Sequence, residues 1–148
     1  MMRQFYIIPR LLRSMSKQYV TLAQAQRRLP HVKKLLSQAL HHKNMLHMAL
    51  SVDLQYEDEL EDSHFDTKFH KEFHRLSYDF YQILETLEKK GVLIRDLDSG
   101  LIDFISFHNN REICLCFRLG EEKITHWHEV DAGFTGRRPI EELKRVLS

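Results

Sequence analysis

Two hydrophobic periods divide this chain into a helical part and a strand-forming part. Between residues 22 and 50, apolar side chains recur at alternating three- and four-residue spacings, the pattern of one face of an amphipathic α-helix. Thr21 and Gln24 have the spacing of a capping box at its start. Pro30 predicts a bend, because proline removes a backbone donor. The apolar positions are Leu22, Ala25, Leu29, Val32, Leu36, Ala39, Leu46 and Leu50.

A second helical face follows with similar spacing and ends at a basic turn. Lys89 and Lys90 complement the negative end of a helix dipole, and Gly91 permits a left-handed cap. The pattern predicts two long helices joined near residues 51–57, which form an antiparallel hairpin. The apolar positions of the second helix are Phe69, Phe73, Leu76, Phe80, Ile83 and Leu87.

After Gly91 the period changes to two, which predicts short β-strands over residues 92–97, 101–107, 112–119 and 123–130. Asp98-Ser99-Gly100 and Asn109-Asn110 supply turn residues between them. A short last helix is expected, with Pro139 near its first turn and two glutamates at its N-terminus.

These elements predict an α+β fold: a long antiparallel helical hairpin packed on a small antiparallel β-meander, with a short C-terminal helix. We expect one domain over residues 15–148, with the hairpin at 15–90 and the meander at 91–148. Residues 1–14 are interpreted as an extension outside that domain. They contain Arg but no acid, so they are either a mitochondrial-type targeting segment or sequence upstream of a start at Met15.

The distribution of charge changes how the net charge of +1 is understood. Nine Lys or Arg and no acid precede Asp53, whereas 13 bases and 21 acids are found from there onward. A basic segment can bind nucleic acid, but an acidic stretch follows directly, which favours pairing within the domain. The first helix carries only the short basic patch of Arg27, Arg28, Lys33 and Lys34, so nucleic acid is a weak third hypothesis.

The two cysteines and the hydropathy indicate a soluble protein of a reducing compartment. Cys114 and Cys116 lie two apart on one predicted strand, a poor arrangement for a disulfide between distant segments. We interpret both as packed thiols in a cytoplasmic protein. Cys116 would act as a nucleophile only beside a base such as His128. No apolar run has the length of a membrane-spanning helix, so no membrane partner is expected.

Three segments in the strand-forming half carry a family resemblance. IRDLDSGLIDF, NREICLCFRLGE and WHEVDAGFTGRRP resemble the C-terminal signature of the domain of unknown function 2203 family, whose members are uncharacterised prokaryotic proteins. KQYVTLAQAQRRLP is similar to the opening helix of that family, and the resemblance spans roughly residues 17–140. It implies a small cytoplasmic protein without an established activity. The family pattern has Gly at Asn110, Trp at Phe117 and an aromatic residue at His126.

Two histidine pairs have spacings found in metal sites. His126 and His128 project from one face of a predicted strand, and Asp131 follows at the strand's end. Two imidazoles and one carboxylate can hold a catalytic divalent metal, although a solvated strand face is the commoner meaning of such a pair. His70 and His74 lie four apart on the second helix, but Lys71 replaces the glutamate of the protease motif.

The segment from Asp131 to Arg138 is a stronger candidate for ligand binding. Gly133 and Gly136 allow the backbone amides to be exposed, and arginines that follow can hold phosphate or carboxylate groups. Alternatively, these arginines pair with acids inside the domain. The ligand-binding candidates are Arg111, Arg118, Trp127, His128, Asp131, Gly133 and Arg137.

Two functional hypotheses from different classes follow. The first is a small cytoplasmic binding module for an anionic ligand or a protein, with a homodimer formed through the helical hairpin. The second is an enzyme acting on a small anionic substrate, either assisted by a divalent metal at His126, His128 and Asp131 or using His128 as general acid and base.

Overall fold

The two hydrophobic periods correspond to two long helices followed by a sheet. The computed structural model describes residues 17–56 and 63–145. The α+β class and the order of its layers are confirmed. The elements are α1 (Leu22–Tyr56), α2 (Ser63–Lys89), β1 (Val92–Asp96), β2 (Leu101–His108), β3 (Arg111–Arg118), β4 (His126–Glu129), β5 (Arg138–Pro139) and α3 (Glu141–Arg145).

Helix α1 begins at the predicted capping box. The backbone N–H of Gln24 donates to Thr21 Oγ1 at 3.1 Å, and the backbone N–H of Thr21 donates to the side-chain oxygen Oε1 of Gln24 at 2.9 Å. These reciprocal bonds satisfy two backbone donors that the first helical turn leaves without partners. Pro30 lies inside α1, and the helix continues through it. The predicted junction at 51–57 falls mostly inside α1, and residues 57–62 and the proposed extension at 1–14 lie outside the described residues.

The sheet is an antiparallel meander with strand order β1-β2-β3-β4-β5 within the described residues. Asn109 and Asn110 join β2 to β3 with φ values of 51° and 60°. Asparagine tolerates this left-handed region better than most residues, which suits a two-residue hairpin turn. The sequence did not predict β5, and Pro139 lies in that strand rather than in α3, which begins at Glu141. Proline is compatible with such an edge strand because it needs no donor there.

The core lies between the two long helices and one face of the sheet. Strand alternation directs Ile102 and Phe104 of β2 toward the helices, together with the neighbouring Leu115 and Phe117 of β3. Helix α1 contributes Ala25, Leu29, Val32, Leu36 and Ala39, and α2 contributes Phe80 and Leu87. Gln26 fixes α1 to the chain before β4, since its side-chain amide exchanges two hydrogen bonds with the Ile124 backbone at 2.9 and 3.1 Å.

The outer part of the hairpin is less buried than the part over the sheet. Met45 and Met48 of α1 and Tyr78 and Tyr81 of α2 are exposed. Leu46 is half-buried, so the apolar seam of α1 weakens beyond Ala39. Among the described residues, no helix combines the length and apolar character that crossing a bilayer would require.

The capping box gives a direct test of how α1 is stabilised. Thr21→Ala removes the side-chain acceptor of the Gln24 amide, and we expect a loss of about 1 kcal/mol in the free energy of unfolding, measured by urea denaturation. Thr86→Ala is the matched control, because the Thr86 hydroxyl bonds to the Gln82 carbonyl within α2 and caps no helix end. An equal loss in both variants would show that the cap does not stabilise the protein.

Candidate binding pocket on the open sheet face

The sheet face turned away from the helices carries a pocket of about 220 Å³. Residues of β1, β2, β3 and β4 contribute to it, and the segment after β4 closes one side. The lining residues are Arg95, Leu101, Asp103, Cys116, His128, Val130, Asp131, Gly133 and Phe134.

Strand register brings the polar lining residues together. Asp103 of β2 is paired with Cys116 of β3, and Cys114 of β3 is paired with His128 of β4. Side chains of paired residues on adjacent strands lie on the same face within contact distance. These four side chains therefore form a polar cluster on the side of the sheet turned away from α1 and α2. All four are buried.

Asp103 is the centre of this cluster. Its side chain is only 1% exposed, and both carboxylate oxygens have partners. Oδ1 lies 2.9 Å from His128 Nε2, and Oδ2 accepts a hydrogen bond from Arg95 Nε at 2.7 Å. A buried carboxylate is tolerable only with such partners, because desolvation penalises an unpaired charge by several kcal/mol.

The hydrogen bonds of His128 determine how many protons the pair holds. Nδ1 lies 2.6 Å from the Glu129 carbonyl oxygen, which can only accept, so Nδ1 carries a proton. Nε2 faces Asp103 Oδ1, and this contact also needs a proton between the two atoms. The pair is therefore either imidazolium with carboxylate or imidazole with carboxylic acid. In both cases its total charge is zero, and neither ring nitrogen is left to accept a proton from another group.

Arg95 lies at the open side of the cluster, with 44% of its side chain exposed. Burial alone would lower the pKa of Arg95, but the hydrogen bond and charge of Asp103 raise it, and the net shift is upward. Its Nη2 lies 3.9 Å from Cys114 Sγ, and Nη1 makes no hydrogen bond to the described residues. Arg95 is therefore a permanent cation whose Nη1 donors have no acceptor among the described residues.

The two thiols are held in their protonated form. Burial, followed by the charge of Asp103, raises the pKa of Cys116 to about 12. Burial and Asp103 also raise the pKa of Cys114, while Arg95 partly opposes the shift. A nucleophilic cysteine needs a lowered pKa. The geometry therefore favours the interpretation of Cys116 as a packed thiol rather than a nucleophile.

Gly133 and Phe134 form the loop side of the pocket. Gly133 has φ 63° and ψ −164°, a backbone conformation that is essentially restricted to glycine. A single 3₁₀ turn, Phe134–Gly136, follows it. The Phe134 ring lies beneath two guanidinium groups, with Arg118 Cζ at 5.7 Å and Arg137 Cζ at 4.9 Å from its centroid. These cation–π contacts hold the ring at the pocket rim.

The structure brings some of the predicted ligand-binding residues together and separates others. His128, Asp131 and Gly133 line the pocket, and Arg118 lies beside it on the Phe134 ring. Arg111 pairs with Glu129 at 2.8 Å, outside the pocket lining. Arg137 makes two hydrogen bonds to Glu121, at 2.7 and 2.9 Å, so the alternative of pairing within the domain applies to both arginines.

Trp127 lies on the other side of the sheet. Its side chain belongs to the core and is paired in register with Leu115. Because side chains of a strand alternate between faces, Trp127 cannot share a face with His128. It therefore does not line the pocket, and its expected contact with a ligand there is not supported by the geometry.

The predicted metal ligands do not converge as a set. His126 Nδ1 lies 2.9 Å from Thr125 Oγ1, and Asp131 is exposed. Among the described residues, the group whose ligand atoms all lie within 4.8 Å of one another consists of Asp103, Cys114 and His128. His70 and His74 are exposed on α2 and do not line the pocket.

Sequence reasoning did not select Arg95, Asp103 or Cys114 as site residues. The signal for Asp103 was an acid inside the apolar run LIDFISF. Arg95 could have been placed by alternation with Leu93 along β1. The register irregularity between Ile94 and Asp96, however, was not predictable from the sequence.

Because Asp103 is buried and paired with two residues, removal of its carboxylate should strongly lower the stability of the protein. Asp103→Ala leaves His128 and Arg95 without their carboxylate, and we expect a loss of about 3–5 kcal/mol in the free energy of unfolding. Asp131→Ala is the control, since Asp131 is exposed and should contribute less than about 0.5 kcal/mol. Urea denaturation of both variants measures the difference. Similar, small losses would contradict the central place given to Asp103.

The raised thiol pKa values predict slow modification of the folded protein. At pH 8 a thiol with a pKa of about 12 is thiolate in about one molecule in 10⁴, compared with about one in eleven at the ordinary pKa of 9.0. We expect a disulfide reagent to label both cysteines slowly in the native state and rapidly in urea. Stability contributed by the protonated Cys116 is complete below its ordinary pKa of 9.0 and falls as pH rises toward about 12. Fast native labelling of either thiol would contradict this assignment.

Comparison with known proteins gives one match. No curated protein and no solved structure matches the chain. The sequence model of a family described as "Uncharacterized conserved protein (DUF2203)" matches residues 18–140. This range includes the capping box, the sheet and every residue that lines the pocket. The chain therefore belongs to the DUF2203 family.

Proposed function

We propose that this protein is a small binding module, and that an anionic group of its ligand occupies the pocket beside Arg95. The observation that carries the proposal is the position of Arg95, which lines the pocket, donates to Asp103 and has 44% of its side chain exposed. Asp103 and His128 together are neutral, because one proton lies between them in addition to the one on Nδ1. Arg95 then leaves one net positive charge where the pocket meets solvent.

The remaining charges around the pocket support the same ligand class. Arg118 is paired in register with Leu101 and lies on the Phe134 ring, and both of these neighbours line the pocket. It is thus a second guanidinium at the rim. Asp131 of the pocket lining carries an opposing charge, and it is exposed in the same way as Arg118. These two charges offset each other, which leaves the positive charge of Arg95. Guanidinium groups suit carboxylate and phosphate because their donors match two oxygens at once.

The size and rim of the pocket limit what else the ligand can be. A volume of about 220 Å³ is smaller than the roughly 300–1,000 Å³ of pockets that enclose drug-sized molecules. Leu101, Val130 and Phe134 give the rim an apolar part. The pocket therefore suits a small carboxylated or phosphorylated metabolite, or the terminal group of a larger molecule, with a short apolar portion.

An acid–base enzyme is the second candidate function. The Asp103–His128 pair at the pocket floor favours it, since carboxylate–imidazole pairs of this kind orient catalytic histidines. However, both ring nitrogens of His128 are already hydrogen-bonded within the protein. His128 would have to exchange one of these bonds before it could act on a substrate, so the binding module has the stronger support.

Compartment and assembly are part of the same proposal. Both cysteines are free and buried, which supports a reducing compartment such as the cytoplasm. The exposed Met45, Met48, Tyr78 and Tyr81 on the outer hairpin support a homodimer formed through that surface.

A thermal-shift screen against phosphorylated metabolites, nucleotides and small carboxylic acids tests the binding module. Compounds that raise the melting temperature would then be titrated calorimetrically into wild-type protein, Arg95→Gln and Arg118→Gln. A charge-assisted hydrogen bond contributes about 1.5–3 kcal/mol to the free energy of binding. We therefore expect Arg95→Gln to bind the ligand about ten- to a hundredfold more weakly.

Arg111→Gln is the matched control, because Arg111 is an exposed arginine of the same sheet that pairs with Glu129 outside the pocket. It should bind as tightly as wild type, and circular dichroism would verify that each variant is folded. Unchanged binding by Arg95→Gln, an equal loss in Arg111→Gln, or no stabilising compound in the screen would refute the proposal.

A further inference from the structure

Asp103, Cys114 and His128 each offer one ligand atom, and the three atoms lie within 4.8 Å of one another. We propose that these residues form a binding site for a divalent transition-metal ion, with zinc as the best chemical match. This site differs from the set His126, His128 and Asp131 that strand periodicity predicts. It shares Asp103 and His128 with the pocket of the proposed anion site, but it does not rest on that proposal.

The three residues are placed by adjacent strands. Asp103 lies on β2, Cys114 on β3 and His128 on β4, and Cys114 and His128 are register partners. All three are at most 2% exposed. Their positions are therefore fixed by the sheet ladder and by packing rather than by a loop, which is the preorganisation a metal site requires.

The orientation of His128 is that of a metal ligand. Its Nδ1 donates to the Glu129 carbonyl oxygen at 2.6 Å, which fixes the ring and directs Nε2 into the cluster. Metal-binding histidines usually donate a hydrogen bond from their second ring nitrogen to a backbone carbonyl or a carboxylate in this way. The distance from Nε2 to Asp103 Oδ1 is 2.9 Å. Tetrahedral zinc with bonds of about 2.0–2.1 Å holds two such ligand atoms about 3.3 Å apart. The ion could therefore bind once Nε2 and Oδ1 move slightly further apart.

The ligand types select among metals. A thiolate and an imidazole favour zinc and similar transition metals, whereas calcium and magnesium require oxygen ligands. One sulfur, one nitrogen and one oxygen are also three protein ligands, the number found in zinc sites that keep a fourth position for water or substrate. Asp103 and His128 line the pocket, so that fourth position would be reached from it.

The charge of the cluster is unchanged when a divalent cation enters. The cation would replace two protons, the one between His128 and Asp103 and the one on the Cys114 thiol. Two positive charges then leave and two arrive, so no additional net charge is buried. Arg95 contacts Asp103 and Cys114, but 44% of its side chain is exposed and it can turn into solvent.

Cobalt(II) provides a test that reports on the thiolate directly. Full-length protein without a histidine tag would be treated with a chelator, dialysed and titrated with cobalt chloride while the absorption spectrum is recorded. We expect one equivalent to produce a thiolate-to-cobalt charge-transfer band, and zinc to displace it. Histidines on the exposed helices can bind cobalt as well, but they cannot generate this band.

Two cysteine variants locate the ligand. Cys114→Ser should lose the band, whereas Cys116→Ser should keep it. Cys116 is a matched control because it is buried on the same face of the same strand, two residues away, but does not belong to the group of converging ligand atoms. Absence of the band in wild type, its persistence in Cys114→Ser, or its loss in Cys116→Ser alone would overturn the proposal.

X-ray absorption of the zinc-loaded wild-type protein tests the site without any variant. One sulfur ligand together with nitrogen and oxygen ligands is expected, and a coordination shell with no sulfur or with two sulfurs would overturn the assignment. The metal alone is the probe in both experiments. Failure of the metal site therefore leaves the test of anion binding unaffected, and failure of anion binding leaves the metal result unaffected.

Discussion

A single buried carboxylate organises the open face of this sheet. Asp103 is enclosed by apolar neighbours on β2, and its two oxygens are shared between a guanidinium on β1 and an imidazole on β4. The side chain of Asp103 thus connects strands at opposite sides of β2 and β3. Because an unpaired charge in this position would be strongly unfavourable, the register of three strand pairs and the orientation of His128 are fixed together.

The same constraint explains why the pocket is polar at its floor and apolar at its rim. The floor consists of groups that satisfy one another, and the rim consists of Leu101, Val130 and Phe134, which lie on the face turned away from α1 and α2. The helices bury only the opposite face, where Phe104 and Phe117 meet α1 and α2. One sheet therefore separates a conventional hydrophobic core from a site with several charged groups.

The fold was largely predictable because its signals are local. The capping box of Thr21 and Gln24, the change of period at Gly91 and the turn at Asn109-Asn110 are each contained in a few adjacent residues. The site was predictable only in part, since ion pairing depends on which strands are neighbours. Nothing local assigns Glu121 to Arg137 or Glu129 to Arg111, and the irregularity in β1 that places Arg95 is a property of the pair of strands. For Trp127 the information was present, because the alternation that joins His126 to His128 excludes the residue between them.

The position of Trp127 has a practical consequence. It is the single tryptophan of the chain, and its indole is buried in the core, one peptide bond from His128. Arg138 Cζ lies 4.9 Å from the ring, and the indole nitrogen has no hydrogen-bond partner among the described residues. Because Trp127 lies on the core face of β4, its fluorescence emission responds to a displacement of that strand. The indole itself does not contact a ligand in the pocket on the opposite face. The protein contains its own optical probe for events at His128, and no label has to be introduced.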